Sequence, residues 1–148
     1  MSDTEIEVTA WFFDDYLPTW IGVGNGTIDR GTEFILDYWG APLSWSGPTA
    51  SGWSPDGPAV IDFLEATHNR LKDHGYTNTV VPDRAVRVYH RGGAAIEVIW
   101  SRRRADNTEI ERVAVHFEVN RTADGWRVVG IQQVFTDADT LAEAWDPR

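Results

Sequence analysis

The sequence has no cysteine, which excludes disulfides, thiolate metal sites and cysteine nucleophiles. Positive charge is scarce: 13 Lys and Arg against 23 Asp and Glu give a formal charge of −10. Duplex nucleic acid and anionic membranes both attract basic surfaces, so neither is expected as a partner. No apolar run approaches the ~20 residues that cross a bilayer. The opening MSDTEIEVTA lacks the basic and apolar stretches of a secretory leader, so a cytoplasmic protein is expected. No repeat, low-complexity tract or linker divides the 148 residues, and one domain over 1–148 is expected. Methionine occurs once and leucine six times; eight Trp, six Phe and four Tyr stand in their place. The chain is 42% hydrophobic, a globular composition in which aromatic rings carry much of the core volume.

The first 76 residues read as helices with loops and residues 77–136 as strands, the segregation of an α+β domain with helices on one face of an antiparallel sheet. Residues 5–17 place Val8, Trp11, Phe12 and Tyr16 at helical spacing, and Pro18 is expected to end or bend that helix. A second helix is expected over 28–39, capped by Thr27 or Asp29, with Phe34, Ile35, Tyr38 and Trp39 as its apolar side. Residues 40–58 read as a long loop with a short strand near Leu43–Ser46. The third helix begins at Ser54-Pro55-Asp56, stops at Gly75 and gathers Ile61, Leu64, His68 and Leu71 on one face.

The second half reads as a meander over 84–90, 94–104, 108–120 and 126–136, led in by Thr77–Val81. A two-residue Asp106-Asn107 turn sets Val98 opposite Val115 and Trp100 opposite Val113. Ile96, Val98 and Trp100 then share the inner face with Val113, Val115, Phe117 and Val119. A three-residue Arg91-Gly92-Gly93 loop sets Val88 opposite Ile96. The last turn leaves two registers open. One points Trp126, Val128, Gly130, Gln132 and Val134 inward; the other selects Val129, Ile131, Gln133 and Phe135.

The order helix–helix–loop–helix–meander, the segment Asp29…Phe34-Ile35-Leu36-Asp37-Tyr38-Trp39-Gly40-Ala41-Pro42-Leu43, the Gly57…Phe63-Leu64 helix and the closing Asp124-Gly125-Trp126-Arg127-Val128-Val129 resemble the nuclear transport factor 2-like superfamily over roughly residues 8–136. This is the superfamily of steroid delta-isomerases and SnoaL-like cyclases. The resemblance implies a cone, with three N-terminal helices packed on a curved antiparallel sheet around a pocket open at one end. It favours the register with Gln132 inward. Tyr16 matches the place of the steroid isomerases' helical tyrosine. Their general base falls in Ser44-Trp45-Ser46-Gly47 and their protonated acid at Val115, so isomerase activity does not carry over.

Several residues could carry chemistry inside such a cone. His68, on the apolar face of the third helix, is either a general acid/base or a packed core imidazole. Tyr16 either donates a hydrogen bond to a ligand oxygen or packs as an aromatic with a hydrated hydroxyl. Gln132, if inward, orients a ligand or holds a water. Trp20, Trp45 and Trp100 would form flat apolar walls. Asp14 and Asp15 stand ~100° apart on a helix and cannot share one site. His68, His74, His90 and His116 lack metal-ligand spacing, so no metal and no cofactor is expected. Arg102-Arg103-Arg104 reads as a solvated hairpin. Gly22-Val23-Gly24-Asn25-Gly26 follows a helix rather than a strand and is no dinucleotide loop.

Ile99, Val129, Ile131 and Phe135, beside His116 and Gln133, would make the outer sheet face apolar, which implies a two-fold homodimer. The function expected is binding of an apolar small molecule in the cone, with Tyr16 and His68 catalysing isomerisation, cyclisation or dehydration. The alternatives are a non-catalytic binding or dimerisation domain, and a cone closed by its own tryptophans.

Overall fold

Ser2 accepts a hydrogen bond from the Glu5 amide (3.1 Å) and starts a helical rod that runs to Asn25. The computed structural model describes residues 1–145. The rod consists of α1 (Asp3–Ala10), a π-helical turn (Trp11–Tyr16) and α2 (Leu17–Asn25). Its buried residues Val8, Phe12, Tyr16 and Trp20 lie four apart. In an unbroken α-helix that spacing drifts by ~40° per step around the axis. The wider π turn takes up the drift and holds the four on one side. Pro18 follows directly and does not end the rod, contrary to the sequence expectation. Gly26 does, in the left-handed conformation at φ 83°. A Cβ on Gly24 would stand 3.0 Å from the Tyr76 ring and 3.2 Å from His68 Nε2, so α2 approaches its neighbours closely only through glycine.

The helix expected over 28–39 is instead a 3-10 turn (Thr32–Asp37) running into β1 (Trp39–Ser46). Phe34 and Ile35 are buried as expected. Gly40 and Pro42 follow too soon for a full α-helix, and the Val128 amide donates to Tyr38 O (2.8 Å), drawing the chain into the sheet. A short β2 (Ser51–Ser54) folds back on β1. The Asp56 side chain accepts from the Ala59 amide and caps α3 (Gly57–Asp73). Val60, Leu64, His68 and Leu71 are its buried stripe, and Gly75 at φ 82° turns the chain away. The architecture is thus one long N-terminal rod, α3 and a short C-terminal α4 (Leu141–Ala144), rather than three N-terminal helices.

The remaining strands are β3 (Tyr76–Val80), β4 (Arg84–His90), β5 (Gly93–Arg104), β6 (Glu109–Thr122) and β7 (Gly125–Phe135). The sheet order is β2-β1-β7-β6-β5-β3, with β4 also pairing β5. It is mixed, because β1 runs parallel to β7; the sequence had implied antiparallel pairing throughout. Val98 lies opposite Val115 and Trp100 opposite Val113, as read from the Asp-Asn turn. The β4–β5 register differs: Val86, not Val88, faces Ile96, because the turn is tighter. A bulge between Val88 and His90 restores the side-chain parity.

Both readings of the last strand are half right. Val119 pairs Val128 and Arg121 pairs Trp126, the first register; then a bulge between Glu118 and Val119 shifts the pairing by one residue. Beyond it, Ile131 and Gln133 oppose inward Phe117 and Val115. One extra residue reverses the face of everything downstream.

The same bulge changes the outer face. Ile131 and Gln133 leave it; Phe135 pairs with Val113 at the strand end and stays exposed. Ile99 and Ala114, both fully buried, are covered by Leu141 and Ala144 of α4 with Val134, Ala138 and Trp145 packed alongside. The apolar outer patch expected from the sequence is therefore covered in part by the chain's own C-terminal segment. No helix is long and apolar enough to cross a membrane among the described residues.

Candidate functional site

The rod, α3 and the inner face of the sheet do not close completely. They leave a cavity of about 40 Å³ open to the centre of a water-sized molecule. The interior is therefore neither solid nor an open bowl. It is a narrow chamber with room for the centres of only a few water-sized molecules.

The walls are mostly rings: Trp20, Trp39, Phe63, Trp100 and Phe117, with Leu64, Val115 and Ile131. Leu17, Phe63, Thr67 and Gln133 are the half-buried members and mark the mouth. The polar groups are few: Tyr16, Thr67, Thr79, Arg102 and Gln133. Trp100 is held flat by Phe12, whose ring stacks on it at 6.0 Å with planes 10° apart.

The electrostatics are unusual for so acidic a chain. Burial pushes the Tyr16 phenol well up, an effect that the Trp39 indole and the Arg102 guanidinium oppose. Tyr16 thus stays protonated near neutral pH, and its hydroxyl can donate as well as accept. Trp39 Nε1 is buried and turned toward Tyr16 without reaching good hydrogen-bond geometry. Tyr76 and Thr79 share a 2.6 Å hydrogen bond, and burial pushes the Tyr76 phenol up to about 12. Arg102 is buried at 8% exposure. Its guanidinium lies 4.8 Å over the Trp20 ring and 3.5 Å from Glu111.

A family model described as NTF2-like protein (DUF6841) matches residues 4–136. The chain belongs to this NTF2-like family. Solved structures agree on the fold. A protein of unknown function from Pectobacterium atrosepticum, of the DUF3225 family, is 15% identical over 93% of this chain and 94% of its own, with a TM-score of 0.64. A Nostoc punctiforme domain of unknown function with a cystatin-like fold is 14% identical over 97% and 83%, with a TM-score of 0.65. A proposed isomerase of the SnoaL-like family from Agrobacterium tumefaciens is 12% identical over 91% and 99%, with a TM-score of 0.55. At such identities these likenesses establish the fold alone. No curated protein matches the chain.

Within this NTF2-like cone, Tyr16, Trp20 and Trp100 line the chamber. Gln132 does not. The β7 bulge turns it outward, where it is exposed and bonded to Ser46; Gln133 takes the inner place. Trp45 is not part of the wall, and its ring lies 6.1 Å from that of Phe63. His68 is fully buried but lies outside the chamber wall, between Trp20 (ring centroids 4.4 Å) and Phe34 (6.1 Å, stacked). Neither of its ring nitrogens has a hydrogen-bond partner, and burial lowers its pKa to about 4. Asp15 accepts from the Tyr38 hydroxyl (2.8 Å) and stays on the exposed side of the rod.

The sequence reading missed Arg102, assigned there to a solvated hairpin. The signal was present. Ile96, Val98 and Trp100 alternate inward, and Arg102 is the next residue in that series. Its neighbours Arg103 and Arg104 bond to Ser101 and to the His74 carbonyl near the surface. On the outer face, His116 sits between Glu97 (2.8 Å) and Glu118 (3.2 Å). No cluster suited to a metal ion occurs among the described residues.

Proposed function

We propose that this protein is a cytoplasmic small-molecule binder whose NTF2-like cone takes a slim, largely apolar ligand. The reading rests on the ring-walled chamber: Trp20, Trp39, Trp100 and Phe117 offer flat faces, and Tyr16 and Gln133 offer hydrogen bonds. Such a mix of apolar wall and sparse polar groups is the usual make-up of a ligand site. Non-catalytic binding fits better than acid–base turnover. His68, the imidazole proposed for proton transfer, is separated from the chamber by its packing, and Tyr16 holds its proton too tightly to give it up near neutral pH.

Three chamber tryptophans make binding visible. A panel of small cyclic metabolites is expected to include compounds that shift tryptophan emission and raise the melting temperature. Thr67→Phe plugs the half-buried mouth without touching the core, and it is expected to abolish those shifts while leaving the unliganded melting temperature nearly unchanged. Unchanged ligand responses in Thr67→Phe would remove the chamber from consideration.

Pairing of two copies belongs to the same proposal, through the outer strip that α4 leaves uncovered: Glu97, His116, Glu118 and Gln132. A two-fold contact there would set each copy's His116 near the other's carboxylates. Sedimentation velocity is expected to give a dimer at micromolar concentration; a monomer across the accessible range would remove this part.

A further inference from the structure

Arg102 is the one guanidinium in the chamber wall among the described residues. Its side chain is 9% exposed, and so is that of Glu111, its partner. That partnership is poor. Only Nη1 reaches Glu111, at 3.5 Å, longer than a good charged hydrogen bond. Nε is buried with no partner at all. Glu111 is moreover shared, because the Arg70 guanidinium grips both of its carboxylate oxygens from the surface side. Two cations therefore divide one carboxylate, and the surplus positive charge falls to Arg102. Burial works against that charge and pulls its pKa down, yet a guanidinium keeps its proton near neutral pH. A buried, half-paired cation is expensive to keep unless something completes its shell.

We infer that the chamber's ligand carries a carboxylate and that Arg102 binds it, the apolar remainder lying against Trp20 and Trp100. The inference rests on the small-molecule reading above and narrows it from apolar compounds in general to flat cyclic or aromatic carboxylic acids. A carboxylate accepts two parallel N–H bonds from the guanidinium edge, which supplies what Nε lacks. The Trp20 ring lies 4.8 Å from the guanidinium carbon and occupies one side of it. A phosphate dianion fits less well, since only one cation is there to neutralise it and the space is narrow. The chain's overall charge of −10 repels anions at long range, so a preference for an acid can arise only from this local surplus.

The test uses the full chain and two matched pairs of probes, 2-naphthoate with 2-naphthamide and benzoate with benzamide, followed by calorimetry and thermal shift. At least one acid is expected to bind about tenfold or more tightly than its amide. Arg102→Met is expected to erase that preference, so that acid and amide bind alike. Equal binding of acid and amide by the natural chain, or an undiminished preference in Arg102→Met, overturns the role of Arg102 and leaves the chamber reading standing. No response to any of the four probes overturns both. If Arg102→Met does not fold, the acid–amide comparison on the natural chain decides alone.

Discussion

Phe12→Ala is expected to be among the most damaging single truncations in this chain, costing about 3–5 kcal/mol of stability. Phe12 is fully buried at the crossing of rod and sheet. Its ring lies 5.0 Å from those of Phe13, Tyr16 and Phe117, and 6.0 Å from that of Trp100. Truncation loses the transfer energy of the ring and leaves a void bounded by rigid aromatics that cannot collapse into it. A loss of that size is a large part of the ~5–15 kcal/mol that holds a domain of this kind together. Three of the four neighbours are also chamber walls, so the same change should loosen ligand binding. Urea unfolding measures the first effect. Phe12→Leu, which keeps much of the volume, is expected to lose markedly less. A Phe12→Ala loss under about 1 kcal/mol would mean that the rod settles into the gap and that the ring cluster is not rigid.

Sequence reasoning held where local signals agree or where two departures cancel. The β5–β6 register came out as read from Asp106-Asn107, but by two offsetting steps: the turn closes between Arg104 and Thr108 with Asn107 left-handed, and a bulge between Arg102 and Arg103 brings the pairing back. In α3, an Asp cap, a left-handed Gly75 and a 3.6-residue apolar stripe all agree. It failed where a single inserted residue changes the outcome. The π turn cannot be seen in a pattern that also suits an α-helix, although the four-residue spacing of Val8, Phe12, Tyr16 and Trp20 is its trace. The β7 bulge falls in mid-strand, between the pairs Val119–Val128 and Glu118–Gly130, where no turn residue marks it in the sequence. From it follow the exchange of Gln132 for Gln133 and the loss of Ile131 from the outer face. Arg102 was lost for another reason: a run of three arginines suggests solvent, while strand alternation places the first of them inside. Charge composition and face parity disagreed, and parity, being geometric, prevailed.

His68 shows how a residue can look catalytic and yet report on stability. His68→Leu is expected to flatten the acid limb of the protein's stability profile by about 3 kcal/mol. Burial, with help from the charges of Lys72 and Arg102, lowers the imidazole's pKa to about 4, against a weak opposing pull from the Trp20 backbone. In the unfolded chain the same group titrates near 6.5. Above ~6.5 both states are neutral, and the stability is fully present. As pH falls from ~6.5 to ~4 the unfolded chain takes up a proton that the folded chain refuses, so stability is lost through that window and levels off below it. Leucine has nothing to protonate and removes the slope. At pH 7 it should be nearly neutral or mildly stabilising, because it replaces two ring nitrogens that have no hydrogen-bond partner with a side chain that needs none. Urea midpoints at pH 7, 5.5 and 4.5 for both chains make the comparison. Parallel profiles would mean that the folded protein lets His68 take up its proton as readily as the unfolded chain does, with the Trp20 backbone carbonyl as the acceptor at hand. Such a result would return the imidazole to consideration as a working group of the chamber.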